Sequence, residues 1–415
     1  MIFRKAKLQI VLLPLLLMFL SSCSEDSSNN PVEANIETSE RGSVVESQTI
    51  ITFSAESING LLAIGFTDFN PDFQAQYDVE LVRIVYKTID AKDEIVFASG
   101  VVGIPKKVGA SPLISLHHGT QTKKNRVASQ NVNDAYQSII AASVGYVTSE
   151  PDYLGFGVST GVHPYLHEKT SASCAIDMIR ATKRYCEQKN ISINSQLFLA
   201  GYSQGGYVTM ATHKEIETNL TNEFQVTASA PMAGPHDLLG TAQFVLSDDE
   251  YPRPSFISFI AYAYNEVYEW NKLSEIFNAP YNSLIPQLYD GNSTTAEIDN
   301  QLPKSLRTLF SDSFIDGLRD GTLGYIVNAF EENSLLDWTP IAPITLIHGD
   351  ADTYVPFSNA SAAQASLLSN GATEVNLVPI VGGDHDTSVL PAIEYTLNWF
   401  STFSSGNLAK INLSR

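Results

Sequence analysis

From about Tyr77 the apolar positions of the chain shift from a helix-like to a strand-like pattern. The runs VELVRIVYKTI and EIVFASGVVGIP, separated by the polar stretch Asp90 to Asp93, predict a β-hairpin. Beyond it, short strand-like runs alternate with helical stretches. PLISLHHG leads to DAYQSIIAAS, GYVTSEPDY to a helix over Lys169 to Asn190, and QLFLAGYS to GGYVTMATHKEIE, with the strand FQVTASAPMAG after them. After a long gap the alternation resumes in APITLIHGDAD, NASAAQASLLSN and VNLVPIVGGDH, and ends in the helix PAIEYTLNWF. Apolar strands of this kind, each followed by a helix, predict an α/β fold with a mostly parallel, doubly wound sheet. The gap itself, about 235–340, holds aromatic-rich helical segments such as SFISFIAYAYNEVYEW and no convincing parallel strand. It reads as a helical insertion between the sixth and seventh predicted strands, over the carboxyl ends where open α/β sheets bind ligands. Phe256, Phe259 and Tyr262 within it are expected to line an apolar site beneath a lid.

Composition narrows the classes of partner. A chain of 415 residues that is 44% hydrophobic can bury a large core, and a formal net charge of -20 argues against nucleic acid, whose phosphates demand clustered Lys and Arg. Residues 1–22 read as a targeting segment: Arg4, Lys5 and Lys7 precede an apolar stretch from Leu8 to Leu20 that is too short to span a bilayer. The ending Leu20, Ser21, Ser22, Cys23 resembles the lipobox of bacterial lipoproteins, which implies cleavage before Cys23 and a lipid on it. That resemblance implies a protein of the cell envelope, held to a membrane by its N-terminus. Residues 23–47, rich in Ser, Asn and Glu, read as a solvated spacer ahead of one domain over 48–415. Cys174 and Cys186 fall on one predicted helix, roughly 18 Å apart at 1.5 Å rise per residue, so they read as packed free thiols.

The pattern GxSxG occurs twice, as GYSQG around Ser203 and as GVSTG around Ser159. Its chemistry needs a strand running straight into a helix, so that a tight turn lifts the hydroxyl out, with glycines where side chains would clash. Ser203 has that context between QLFLA and GYVTMATHKEIE. Ser159 lies in a loop near two prolines, with no strand leading in. A serine hydroxyl attacks only when a base takes its proton, usually a His oriented by a carboxylate. With the chain order nucleophile, acid, base, the histidines up to His213 come too early, and His236 and His348 precede the expected acid. That leaves His385, in the Gly-rich loop VGGDHDTS. Asp350 and Asp352, at the end of the strand PITLIHGDAD, both fit the acid, with Asp237 a more distant choice. The oxyanion formed on attack needs two aimed N–H donors: Gln204, next to the nucleophile, and Gly119 or Thr120 in HHGT. The paired His117 and His118 point to opposite faces of an extended strand, and no metal-ligand spacing is recognisable. No metal or cofactor is expected.

Taken together, KTIDAKDEIVFASGVVGIP, ISLHHGT, PDYLGFG, GYSQGG, APMAGPHDL and HGDADTYVP, spread over about Tyr86 to Phe400, resemble the secretory lipase family of the α/β-hydrolase superfamily. The resemblance implies an α/β-hydrolase fold, carboxylic ester hydrolysis through an acyl-enzyme on a small-molecule or lipid ester, and a lid formed by the helical insertion. It also implies that the second aspartate of the HGxxDxxVP pattern, Asp352, is the triad acid, which leaves Asp350 to turn or cap the loop. The same triad would serve a peptidase or a deacylase of carbohydrate or plant-type esters, and the fold does not choose among them.

Overall fold

The computed structural model describes residues 40–65 and 73–403. Nine strands form one sheet: β1 (Val44–Phe53), β2 (Val79–Ile89), β3 (Ile95–Pro105), β4 (Ser111–His117), β5 (Val147–Pro151), β6 (Ile193–Tyr202), β7 (Ala228–Met232), β8 (Ile344–Gly349) and β9 (Val375–Ile380). Their spatial order is β1-β2-β3-β5-β4-β6-β7-β8-β9. β1, β2, β3 and β5 pair antiparallel, and every pairing from β5 through β4 to β9 is parallel. β4, β5, β7 and β8 are buried at every position, which is what strands covered on both faces require and why they read as unbroken apolar runs. The hairpin predicted across Asp90 to Asp93 is β2–β3, paired in register from Val79↔Pro105 to Ile89↔Ile95.

The sequence pattern predicts eight strands and the ninth is β1, which begins inside the stretch assigned by composition to a spacer over 23–47. β1 is exposed along most of its length, so it lacks the alternation that reveals a half-buried strand. It is held at its start by charge. The Arg41 guanidinium donates to the fully buried carboxylate of Asp177 at 3.0 Å, and Arg184 donates to the Arg41 carbonyl at 2.8 Å. The folded body therefore includes residues 40–47.

The helix Glu168–Gln188 carries both Cys174 and Cys186, which are buried and free. Between β7 and β8 the chain makes eight helices, from Leu238–Val245 to Gly324–Glu332, with only the isolated bridges Glu250↔Ser305 and Phe277↔Phe310. With β1 counted, the helical insertion thus follows the seventh strand rather than the sixth. It docks on loops from the carboxyl ends of the sheet. Phe259 stacks on Tyr165 with ring centroids 4.7 Å apart, the Tyr264 hydroxyl donates to the Leu166 carbonyl at 2.8 Å, and Lys124 N–H donates to the Gly291 carbonyl at 2.8 Å. No described helix is long and apolar enough to cross a membrane.

Candidate active site

Ser203 sits between the last residue of β6 and the helix Gln204–Asn219, at φ 60 and ψ -120. A non-glycine residue in that region is strained by about 1–3 kcal/mol and persists only where its surroundings fix it. Here the Ser203 N–H donates to the Met232 carbonyl at 2.9 Å, and the Ser203 carbonyl accepts from Tyr207 N–H at 3.1 Å. The turn closes because its glycines allow backbones to touch. A Cβ on Gly205 would lie 2.0 Å from the His117 carbonyl oxygen, and one on Gly201 would lie 2.4 Å from the Gly205 oxygen. The helix therefore starts directly over β4 and β6 with the serine side chain lifted from the sheet.

Two other strand ends meet it. His385, in the loop after β9, places Nε2 2.8 Å from Ser203 Oγ, and its Nδ1 lies 2.6 Å from Asp352 Oδ2 in the loop after β8. Sequence order thus brings together residues 203, 352 and 385 at the carboxyl ends of parallel strands. Asp352 is tied on both oxygens. Oδ1 accepts from the N–H groups of Tyr354 at 2.8 Å and Val355 at 3.0 Å, while Oδ2 also accepts from His348 Nε2 at 3.1 Å. Burial would raise the carboxyl, but the hydrogen bonds and charge of His348 and His385 outweigh it and hold Asp352 well below the usual carboxylate range. The His385 loop is itself pinned, since the Tyr202 hydroxyl donates to the His385 carbonyl at 2.7 Å.

Asp350 is elsewhere. It is exposed and accepts from Gly382 N–H at 2.7 Å, so it braces the turn that leads into the His385 loop and does not touch the imidazole. Asp237 is the N-cap of the helix Leu238–Val245, accepting from Gly240 N–H at 2.8 Å. Ser159 lies in the loop after β5, its N–H bonded to the Phe156 carbonyl at 2.9 Å. His117 bonds Thr209 Oγ1 at 2.8 Å and burial drives it down to about 3, whereas the His118 ring faces the Asp152 carbonyl at 3.1 Å. The two adjacent histidines share no partner, and no group of three or more metal-ligating side chains converges among the described residues.

Gln204 is the first residue of its helix, where a backbone N–H has no intrahelical acceptor. Across from it, a Cβ built on Gly119 would lie 4.0 Å from Ser203 Cβ, so the backbone after β4 passes beside the serine. Thr120 Oγ1 bonds the Tyr165 hydroxyl at 2.8 Å. In front of Ser203 lies an apolar cavity of about 60 Å³ lined by Leu238, Ala242 and Val245 of the first insertion helix and by Tyr251, Phe256 and Ile260. Of the three insertion aromatics expected there, only Phe256 lines it. Phe259 is buried between Tyr165 and Tyr289, and Tyr262 packs on Tyr289, because their helix faces put them toward neighbouring rings. Sequence reasoning missed His348, whose spacing of four from Asp352 spans a strand end rather than a helix and so signals nothing by itself.

The model of the secretory lipase family matches residues 129–410. Among solved structures, the chain is similar to a protein of Legionella pneumophila at 29% identity, covering 88% of this chain and 99% of that one, with a TM-score of 0.82. It is similar to the rice cell wall degrading esterase LipA from Xanthomonas oryzae at 28% identity over 86% of this chain and 95% of that one, TM-score 0.77. It also shares the fold of Candida antarctica lipase A at 17% identity, 89% and 83% coverage and TM-score 0.66. No curated protein sequence matches.

Proposed function

We propose that this chain, which belongs to the secretory lipase family and is a carboxylic ester hydrolase of the α/β-hydrolase fold, works through an acyl-enzyme on Ser203. The observation that carries the reading is the continuous chain Ser203 Oγ, His385 Nε2, His385 Nδ1, Asp352 Oδ2, with steps of 2.8 Å and 2.6 Å. His385 takes the serine proton as Oγ attacks the ester carbonyl, then returns it to the leaving alcohol. Asp352 accepts from Nδ1, holding the tautomer that leaves Nε2 free for the serine and steadying the imidazolium. The N–H of Gln204, with that of Gly119 or Thr120, receives the developing oxyanion. Water then repeats the cycle on the acyl-enzyme.

The acyl group enters the cavity under the insertion, which acts as a lid. At about 60 Å³ that space holds only a few water-sized groups, so short acyl chains are the substrates that fit it as it stands. A second reading, a deacylase of plant-type polysaccharide esters, is favoured by the likeness to an esterase described as degrading rice cell wall. Upstream, the lipobox-like Cys23 lies outside the described residues, and we assign to it an N-terminal lipid that keeps the enzyme in the cell envelope.

Ser203→Ala tests the core of the proposal. It is expected to fold normally and to lose several powers of ten in turnover of nitrophenyl acetate, keeping only what binding and oxyanion stabilisation supply. A fluorophosphonate probe is expected to label Ser203 in the parent and nothing in the variant. Labelling of Ser159, or persistent labelling of Ser203→Ala, would overturn it. Acetylated xylan and an aminopeptide substrate assayed beside the nitrophenyl esters separate the deacylase and peptidase readings.

A further inference from the structure

The loop after β5, with the motif PDYLGFG at its start and His163 near its end, holds none of the reacting groups, yet it touches both sides of the expected oxyanion site. On one side the Tyr153 hydroxyl donates to the His118 carbonyl at 3.1 Å, and the His118 and Tyr153 rings stack at 4.1 Å, just ahead of Gly119. On the other side His163 Nε2 lies 2.6 Å from Gln204 Nε2. The loop is anchored below by Asp152, whose buried carboxylate accepts from Ser99 Oγ at 2.6 Å and Ser129 N–H at 3.2 Å.

The protons of the Gln204–His163 contact follow from its neighbours. His163 Nδ1 lies 2.7 Å from the Leu154 carbonyl oxygen, which only accepts, so Nδ1 carries the hydrogen and Nε2 offers a lone pair. The Gln204 amide NH₂ must then donate to it, since the reversed amide would set oxygen against lone pair. Burial drives His163 down to about 3, so this neutral tautomer holds throughout the pH range in which a serine hydrolase works. Gln204 Oε1 is buried and has no hydrogen-bond partner among the described residues, which leaves His163 as the polar anchor of that side chain. The anchor is rigid. A Cβ on Gly155 would lie 2.6 Å from His163 N, and the Phe156 ring packs on the imidazole at 4.6 Å.

We propose that His163 is a positioning residue for ester hydrolysis, acting through the Gln204 side chain to hold the Gln204 backbone N–H on the oxyanion; this rests on Ser203 being the nucleophile. The N–H direction at the first position of a helix depends on the torsions on either side of it, and the Ser203 side is already strained. A side chain tied at its far end limits how far that peptide can rock. Losing an oxyanion donor outright costs roughly 10²–10³ in kcat, so loosening one is expected to cost less.

The test is a double-variant cycle of His163→Phe, which keeps the ring packing but removes the acceptor, and Gln204→Leu, which keeps the backbone N–H but removes the amide. Each single change is expected to lower kcat on nitrophenyl acetate about tenfold with KM within about twofold, because the oxyanion contact forms only in the transition state. Affinity for a boronic acid transition-state analogue is expected to fall in parallel, and the double variant to be no slower than either single one. Losses that multiply in the double variant, or a lower Tm with kcat retained, would overturn the proposal; if His163→Phe does not fold, Gln204→Leu with unchanged kcat overturns it alone. Fluorophosphonate labelling of Ser203 in the parent separates these failures from failure of the nucleophile assignment, which would remove the basis of both.

Discussion

Two aspartates in HGDADTYVP sit two positions apart, yet the loop gives them different work. Asp352 has both oxygens filled, by two backbone N–H groups on one side and by His348 and His385 on the other, whereas Asp350 faces solvent and holds the Gly382 turn. Asp352→Asn keeps the shape but offers an amide to His385 in place of a charge, so the wrong tautomer is held and turnover is expected to fall by about four orders of magnitude. Asp350→Asn is expected to leave turnover within a few fold and to cost on the order of 1 kcal/mol in stability, read as a lower Tm. A dead Asp350→Asn beside an active Asp352→Asn would move the acid by two residues. His348 adds a second donor to the same Oδ2, and its single Nε2–H is shared with the Val355 carbonyl at 2.9 Å. The Asp352 carboxylate is therefore held by groups other than His385 as well.

At the scale of elements, the strand–helix alternation was legible because buried parallel strands are nearly all apolar, and the GxSxG context separated Ser203 from Ser159 because only one of them follows such a strand. β1 was not legible. An edge strand exposed along most of its length carries no burial pattern, and the ion pair that ties its start to Asp177 joins positions far apart in the chain. The insertion was visible as helices, but which helix faces look into the cavity depends on how short helices cross, and that is why Phe256 lines the cavity while Phe259 and Tyr262 do not. His163 escaped for a similar reason, since its partner Gln204 is brought to it by the loop after β5. The first insertion helix supplies the element-scale prediction. Ala242 lies on its cavity side, and Ala242→Leu fills space that a longer acyl chain would use. Each methylene excluded is worth about 0.8 kcal/mol, a factor of about four, so the butyrate-to-acetate ratio of kcat/KM is expected to fall several-fold while acetate turnover holds. Overpacking costs about 1–3 kcal/mol, which a Tm measurement monitors separately. Equal losses on both esters would count against acyl binding in this cavity.

Over the whole molecule, the proposed anchor and the proposed chemistry are carried by different parts of the chain. All groups assigned to catalysis fall between Gly119 and His385, inside the body that starts at Glu40 and is pinned there through Arg41 and Asp177, while Cys23 precedes that body. Electrostatics makes the separation testable. With a formal net charge of -20, the protein is repelled by anionic headgroups, which attract proteins through clustered Lys and Arg. Electrostatic adsorption is therefore not expected to substitute for the proposed lipid in the mature protein. Acyl chains supply about 0.8 kcal/mol per buried CH₂, and stable attachment takes more than one chain. Expressed in a bacterial host that processes lipoproteins, the parent is expected to sediment with membranes and to stay there through a salt wash. Cys23→Ala is expected to carry no acyl group, with specific activity on nitrophenyl acetate unchanged. Mass spectrometry of the mature parent is expected to find an acylated cysteine at its N-terminus. An unmodified N-terminus at another residue of the mature parent would refute the anchor while leaving the site at Ser203 untouched.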